Sequence, residues 1–295
     1  MSPAVPLVES APAKVNLTLR VLRRRADGYH EIESLVAFAD FGDRLTLAPG
    51  VAASLTVRGP GAAQAGDGPD NLVLKAARQL AARVPDIGLG AFELDKVLPV
   101  AAGLGGGSAD AAAALRLIAR TNGLKANDPR LFEAARATSA DVSVCLDPQP
   151  RVMRGIGEVL SEPVDLPTLP ALLVNPRVAL ATKPVFAGWS PPTAHPPLLN
   201  MERLAKLART GELVDILTAQ SNDLETPAIA LAPVIADVLV ALSALRGCRL
   251  ARMSGSGATC FALFRDRAEA TAASKILGGK HPHWWVQACT LGSAG

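Results

Sequence analysis

The residues best suited to chemistry form a glycine-dense stretch, Gly103, Gly105, Gly106 and Gly107, with Ser108 directly after it. Glycine takes φ > 0 freely and lets backbone N–H groups turn toward a ligand with no Cβ in the way. Strong helix formers follow, Ala111 to Ala114 and then Leu115, and a short apolar/polar alternation, Phe92 to Val97, precedes. The order is strand, glycine loop, helix. Ser108 stands where an N-cap belongs, and a helix N-terminus carries partial positive charge. Such a loop is an anion cradle suited to phosphates. No Lys-Ser or Lys-Thr follows the glycines, so it is not a Walker loop, and the third glycine of a dinucleotide fingerprint is missing.

Charged and aromatic candidates lie on either side. Lys14 follows Ala11-Pro12-Ala13 at the entrance of an alternating segment in which Val15, Leu17, Leu19 and Val21 interleave with Asn16, Thr18 and Arg20. That pattern predicts a half-buried strand, and Lys14 and Asn16 share one of its faces. Taken alone, Lys14 reads equally as a solvated lysine. Asp141 opens the short apolar run Val142 to Cys145, as a carboxylate at the mouth of a cleft or simply as a helix cap. Arg23, Arg24 and Arg25 lead into Asp27-Gly28, a strong turn pair. Tyr29, the only tyrosine of the chain, and His30 follow. They form either an aromatic and an imidazole placed to stack on and hydrogen-bond a ring, or a plain hairpin with solvated arginines. Gly255 and Gly257 between two apolar runs repeat the glycine-loop idea or mark a tight hairpin.

These residues are held by a chain of 295 residues, enough for one large domain or two ordinary ones. With 49% apolar residues it can bury a sizeable core, and its net charge of +3 excludes a strongly basic nucleic-acid binder while permitting a local basic patch. Cys145, Cys248, Cys260 and Cys289 show no CxxC spacing, which argues against a structural zinc or a disulfide framework and for a reducing compartment. The N-terminus lacks signal-peptide character, and no apolar run approaches the roughly 20 residues that span a bilayer. The expectation is a cytoplasmic protein, monomer or weak homodimer, with no membrane or nucleic-acid partner. Strands are predicted at Ile32–Phe38, Arg44–Leu47 and Leu55–Val57, and a helix capped by Asp70 carries Leu72, Val73, Ala76, Ala77 and Leu80. A helix from Ser108 to about Thr121 and another from Asp128, with Pro129 at its first position, come next. The composition turns proline-rich around Leu166–Pro170, with the boundary just upstream, giving domains of residues 1–160 and 161–295. A further proline-rich loop is expected from Pro191 to Pro197, then two or three helices between Met201 and Leu245. A strand pair around Gly255, a helix from Arg267 and a strand from Trp285 complete a ferredoxin-like β-α-β pattern.

Three stretches stand in order: Ala11-Pro-Ala-Lys-Val-Asn-Leu17, Pro99 to Asp110, and Arg252 to Ala258. Together they resemble the three-motif pattern of the GHMP kinases, small-molecule kinases without a Walker loop. The resemblance covers essentially the whole chain. It implies an α+β, two-domain fold, with an N-terminal ribosomal-protein-S5-like domain, a C-terminal ferredoxin-like domain, and the active site in the cleft between them. It implies ATP as co-substrate, bound by Pro99, Val100, Ala101, Ala102, Gly103, Leu104, Gly105, Gly106, Gly107, Ser108 and Ala109, with Mg²⁺ reached by the Ser108 hydroxyl. Lys14 and Asp141 become the catalytic pair, Asp141 orienting an acceptor hydroxyl and Lys14 pairing with it. Ala101-Ala102 stands where the pattern has a glycine pair or Met-Gly, and Ser143 where a proline is frequent.

The addition of Arg25-Ala-Asp-Gly-Tyr-His30 is similar to the branch whose acceptor is a cytidyl-bearing sugar alcohol, phosphorylated on its 2-hydroxyl in non-mevalonate isoprenoid synthesis. On that reading Tyr29, His30 and Phe186 receive the cytosine and Asn16 the alcohol's hydroxyls. The alternatives are a GHMP kinase for another small alcohol such as homoserine or mevalonate, an ATP-binding protein that transfers nothing, and a nucleic-acid-binding module.

Overall fold

The computed structural model describes residues 6–50, 52–191, 198–200, 202, 204 and 212–293. The chain divides into two compact units. The first is Met1–Ala13, Gly42–Val100 and Gly105–Pro148; the second is Lys14–Phe41, Ala101–Leu104 and Gln149–Gly295. Strand β1 (Leu7–Asn16) passes from the first to the second within its length, and β3 (His30–Ala48) passes back.

In the first unit, β4 (Ser54–Arg58) pairs in parallel with β5 (Ala91–Asp95), and β5 pairs antiparallel with Arg44–Ala48 of β3. Helix α1 (Ala62–Ala65) and helix α2 (Leu72–Ala81) connect the parallel pair. Val73, Ala76, Ala77 and Leu80 of α2 are buried, the i, i+3, i+4, i+7 spacing of one helix face. The cap of α2 is Asn71, whose side chain accepts from the Val73 N–H, rather than the expected Asp70. Both residue types cap well, but only the amide can also donate, and Asn71 Nδ2 bonds the Gly66 carbonyl at 2.8 Å. Helix α3 (Gly106–Thr121) is buried almost all round, Ala111 to Leu115 completely. Four consecutive alanines leave no side-chain bulk, so α2 and α5 (Val142–Leu146) pack directly on it. Helix α4 (Pro129–Thr138) has the expected Asp128 cap, with Pro129 in its first turn.

In the second unit, β2 (Arg20–Arg24) and β6 (Arg151–Gly155) pair with the first part of β3, and β7 (Val159–Leu160) pairs with β6. Then follow β8 (Leu169–Asn175), α6 (Thr182–Ala187), α7 (Leu213–Thr218), α8 (Glu225–Leu231), α9 (Val234–Ser243), β9 (Leu250–Met253), β10 (Cys260–Leu263), α10 (Arg267–Lys280) and β11 (Trp285–Gly292). Their sheet order is β11-β8-β10-β9, with all neighbours antiparallel. Numbered along the chain this is the fourth, first, third and second strand, the interleaving produced by two split β-α-β units, so the ferredoxin-like expectation holds. Helices α9 and α10 contribute Ile235, Val238, Leu242, Ala270, Ala273 and Leu277 to the core beneath that sheet.

Two strand expectations change. The alternation from Val15 to Val21 is not one strand: β1 stops at Asn16 and β2 starts at Arg20. Between them Leu17 N–H bonds Leu35 O and Leu19 N–H bonds Ser221 O. Residues 11–19 are buried on both faces, so the polar members of the alternation face partners and not water. Ile32–Phe38 and Arg44–Leu47, expected as separate strands, are parts of the single 19-residue β3. The loop expected at Pro191–Pro197 and the beginning of the helical region expected from Met201 fall largely outside the described residues. No helix among the described residues is long and apolar enough to cross a membrane. The four cysteines form no disulfide, and burial pushes the Cys289 thiol up to about 12.

Candidate active site

The glycine stretch has two structural roles, one in each unit. In the first unit it starts α3. Gly105 is the cap, in the left-handed conformation with φ +62°, and Ala109 N–H makes the first intrahelical bond to the Gly105 carbonyl. The N–H groups of Gly106, Gly107 and Ser108 therefore point out of the helix end without intrahelical partners. Behind them run 16 residues of helix, whose dipole favours an anion there. Ser108 is buried in the first turn and is not the cap: a glycine takes the cap because the chain enters at positive φ.

A buried ionic triad lies beneath this helix start. Lys96 Nζ donates to Asp43 Oδ2 and to Asp110 Oδ2, each at 2.6 Å. Asp43 Oδ1 accepts the backbone N–H groups of Val97 and Leu98 at 2.7 and 2.8 Å. The triad thus ties the chain leaving β5 to the first turns of α3. A Cβ on Gly106 would stand 3.1 Å from Lys96 Nζ. Burial, with the Asp43 carboxylate beside it, raises the Asp110 carboxyl far above the usual range against the pull of Lys96. Burial opposes the charge on Lys96, but Asp110 and Asp43 outweigh it and raise the ammonium. One carboxyl holding a proton beside one ammonium leaves the cluster near neutral, the inexpensive state for groups taken out of water. Asp110 Oδ1 is buried with no hydrogen-bond partner among the described residues.

In the second unit the stretch Ala101–Leu104 leans on the β9–β10 hairpin. Thr259 N–H bonds the Ala102 carbonyl at 3.1 Å, and Ser254 Oγ donates to the Gly103 carbonyl at 2.8 Å. Gly103 sits at φ +75°, and a Cβ there would lie 2.4 Å from Ser254 O. Ser254 Oγ also accepts the Asn16 backbone N–H at 3.0 Å, and Lys14 N–H bonds Leu104 O at 2.9 Å. Hairpin, glycine loop and the end of β1 are one hydrogen-bonded block, which makes Gly255 and Gly257 a support for the first glycine loop. Asn222 completes it, with Nδ2 donating to the carbonyls of Met253 and Gly255, both at 2.8 Å. Lys14, 4% exposed, and Asn16 are both buried; Asn16 Nδ2 donates to Ser34 Oγ at 2.7 Å.

The aromatic candidates divide. The β2–β3 turn forms as expected, with Gly28 at φ +86° and Arg25 N–H bonded to Tyr29 O. Tyr29 is 60% exposed on it. The His30 ring lies 5.1 Å from Phe186 on α6, tilted by 35°, and 5.8 Å from Trp189, edge-on at 84°. His30, Trp189, Leu22, Arg24, Ala187 and Pro191 border a pocket of about 310 Å³. Burial and then the charge of Arg24 push the His30 pKa down, so the imidazole is neutral at pH 7 and offers one donor and one acceptor. Arg23 forms an exposed pair with Glu31, the solvated role that the turn reading allowed. Asp141 takes the cap position of α5 without making a side-chain cap bond.

Sequence reasoning missed the Lys96 triad, Trp189 and Asn222. A lysine ending the strand before a glycine loop, with an aspartate just beyond, was the available signal for the triad. Asn222 sits in a loop with no pattern around it.

Residues 71–147 match the family model of the GHMP kinases N terminal domain, and residues 201–282 that of the GHMP kinases C terminal. A relative in Rhodopseudomonas palustris, named 4-diphosphocytidyl-2-C-methyl-D-erythritol kinase, is 58% identical over 98% of both chains. The crystal structure of a 4-(cytidine 5'-diphospho)-2C-methyl-D-erythritol kinase superposes with a TM-score of 0.80 at 34% identity, covering 97% of this chain and 100% of that one. A homoserine kinase from Cytophaga hutchinsonii shares the fold, with a TM-score of 0.73 at 19% identity over 100% and 98% of the two chains.

Proposed function

Because the chain belongs to the GHMP kinase family and is an ATP-dependent small-molecule kinase, we propose that its acceptor is 4-diphosphocytidyl-2-C-methyl-D-erythritol. It transfers the γ-phosphate of ATP to the 2-hydroxyl of that alcohol, giving the 2-phosphate and ADP in the non-mevalonate route to isoprenoid precursors. The 58% identity across 98% of the chain carries the choice of acceptor. The neutral His30 beside Phe186, at the rim of a pocket, supports it.

Phosphoryl transfer asks mainly for positioning and for charge stabilisation. In this reading the N–H groups of Gly106, Gly107 and Ser108 hold the β- and γ-phosphates, and Pro99–Leu104, with Gly105 and Ala109, shape the rest of the nucleotide loop. Asp141 orients the 2-hydroxyl and receives its proton, and Lys14 steadies the charge that develops there. Asn16 meets the erythritol hydroxyls through its Oδ1 and the second N–H of Nδ2, the first being bonded to Ser34. Phe186 and the exposed Tyr29 stack on the cytosine, and His30 bonds its polar edge. Among the described residues no cluster of three His, Cys, Asp or Glu could hold a metal. Ser108 Oγ, a hard oxygen donor in the first turn of α3, would be the protein ligand of a Mg²⁺ carried on the nucleotide's phosphates, where the ion would neutralise phosphate charge.

The division into residues 1–160 and 161–295 is supported by the two family models, which fall one on each side of it. A cytoplasmic location and a monomer or weak homodimer complete the proposal, the location suiting small soluble substrates. A coupled ADP-release assay offering the cytidyl alcohol, homoserine and mevalonate tests the proposal. Turnover is expected with the first alone; equal or faster turnover with either of the others would replace it.

A further inference from the structure

Arg23, Arg24 and Arg25 follow one another where β2 runs into the turn, and two of them are neutralised locally. Arg23 pairs with Glu31 across the ladder, and Arg25 pairs with Asp27 in the turn at 2.8 Å. Among the described residues Arg24 makes neither an ion pair nor a side-chain hydrogen bond. It stands directly opposite His30 in the β2–β3 ladder, and opposite residues of an antiparallel pair project to the same face. The His30 imidazole feels the Arg24 charge, and both residues border the pocket of about 310 Å³. That volume is at the small end of the roughly 300–1,000 Å³ range of ligand pockets. A nucleotide that buries its base beside His30 therefore leaves its phosphates at the mouth. Arg24 is exposed there, so its guanidinium is accessible to them.

Resting on the cytidyl reading above, we propose that Arg24 is the binding residue for the acceptor's diphosphate, its guanidinium donating to the phosphate oxygens. The planar fork of an arginine matches phosphate geometry in bidentate fashion. Arg23 borders the same pocket, but its fork is already engaged by Glu31. One pair of opposite residues then serves both halves of the nucleotide, His30 the base and Arg24 the phosphates. The contact also selects among alcohols, because homoserine and mevalonate carry no diphosphate to make it.

Arg24→Met keeps the apolar stem and removes the charged fork. The low end of charge-assisted hydrogen bonds, which suits an exposed side chain, corresponds to about a tenfold change in affinity. KM for the cytidyl alcohol is therefore expected to rise about tenfold while KM for ATP stays unchanged. The matched probes are cytidine 5'-diphosphate and cytidine, each tested as a competitor of the acceptor at saturating ATP. Arg24→Met is expected to weaken the diphosphate about tenfold and to leave cytidine unchanged. Arg23→Met, which removes an equal charge from the same rim, is expected to change neither. A diphosphate that binds Arg24→Met as well as wild type overturns the assignment and leaves the cytidyl reading standing. So does an equal loss of both probes, or an equal loss in Arg23→Met, since the effect would then belong to the pocket's shape or to its overall charge. If neither probe competes with the acceptor in wild type, the cytidyl reading of the pocket falls, and the role of Arg24 with it.

Discussion

Replacing Lys96 by methionine keeps its length and apolar stem and deletes one charge from the most buried ionic cluster described. Side chains of Lys96, Asp43 and Asp110 are 3%, 0% and 4% exposed, so solvent cannot take the place of the lost ammonium. Both 2.6 Å charge-assisted bonds vanish. Each is worth about 1.5–3 kcal/mol. Asp43 retains the Val97 and Leu98 N–H groups, and because Asp110 already holds a proton, the Asp43 carboxylate is left as a buried charge with no ammonium beside it. The expected destabilisation is about 3–5 kcal/mol, the usual cost of breaking a buried pair from one side. That is a large share of the roughly 5–15 kcal/mol of a folded protein.

Asp110→Asn is the counterpart. It replaces a protonated carboxyl by a neutral group of the same shape and still offers Lys96 an oxygen, so it should cost under about 1 kcal/mol. The two variants also separate by pH. The Asp110 carboxyl is raised to about 8 in the folded chain, whereas the unfolded chain releases that proton near 3.8. The stability it contributes is complete below the unfolded value and is lost as pH rises from there toward about 8. Urea unfolding followed by circular dichroism between pH 5 and about 8.5 reads both effects. Wild type should lose stability across this range more steeply than Asp110→Asn. Equal costs for the two variants, or a Lys96→Met cost below about 1 kcal/mol, would refute the triad's role in anchoring the helix start.

Asp141→Asn should lower turnover by on the order of 10²-fold or more with little change in thermal stability, and initial-rate kinetics beside a melting curve would show it. Gly103→Ala forces a Cβ to 2.4 Å from a backbone oxygen at φ +75°. It should abolish ATP binding or folding, whereas Gly28→Ala, with nothing within 4 Å of its Cβ position, should cost only the positive-φ strain of about 1–2 kcal/mol. Ala101 itself sits at φ +51°. Ala101→Gly relieves about 1–2 kcal/mol of that strain and returns about 0.5–1 kcal/mol through unfolded-state freedom, so a stabilisation of roughly 0.5–1 kcal/mol is expected in denaturant titration.

The elements that sequence reveals best are those with local causes. Asp128-Pro129 starts α4, Asp27-Gly28 turns β2 into β3, and the apolar spacing of Val73, Ala76, Ala77 and Leu80 writes α2. The glycine loop was legible as a phosphate cradle, because glycines before an alanine-rich helix have few other uses. What stayed hidden depends on contacts distant along the chain. The split of Val15–Val21 into two strands follows from bonds to Leu35 and Ser221, and the helix starts two residues before Ser108 because Gly105 takes positive φ. The Lys96 partners lie 53 and 14 residues away. Trp189 reaches the pocket by the fold of a loop that carries no periodicity.

Which oxygen of which alcohol is phosphorylated is answered most directly by the product. Incubation with ATP and 4-diphosphocytidyl-2-C-methyl-D-erythritol, followed by phosphorus NMR, should show ADP and one new phosphomonoester. Carbon 2 bears the methyl group and no hydrogen, so a phosphate on its oxygen has no three-bond proton coupling and should give a single line. A doublet or triplet would put the phosphate on a secondary or primary hydroxyl. Either pattern, or no phosphomonoester while ADP accumulates, would contradict the account.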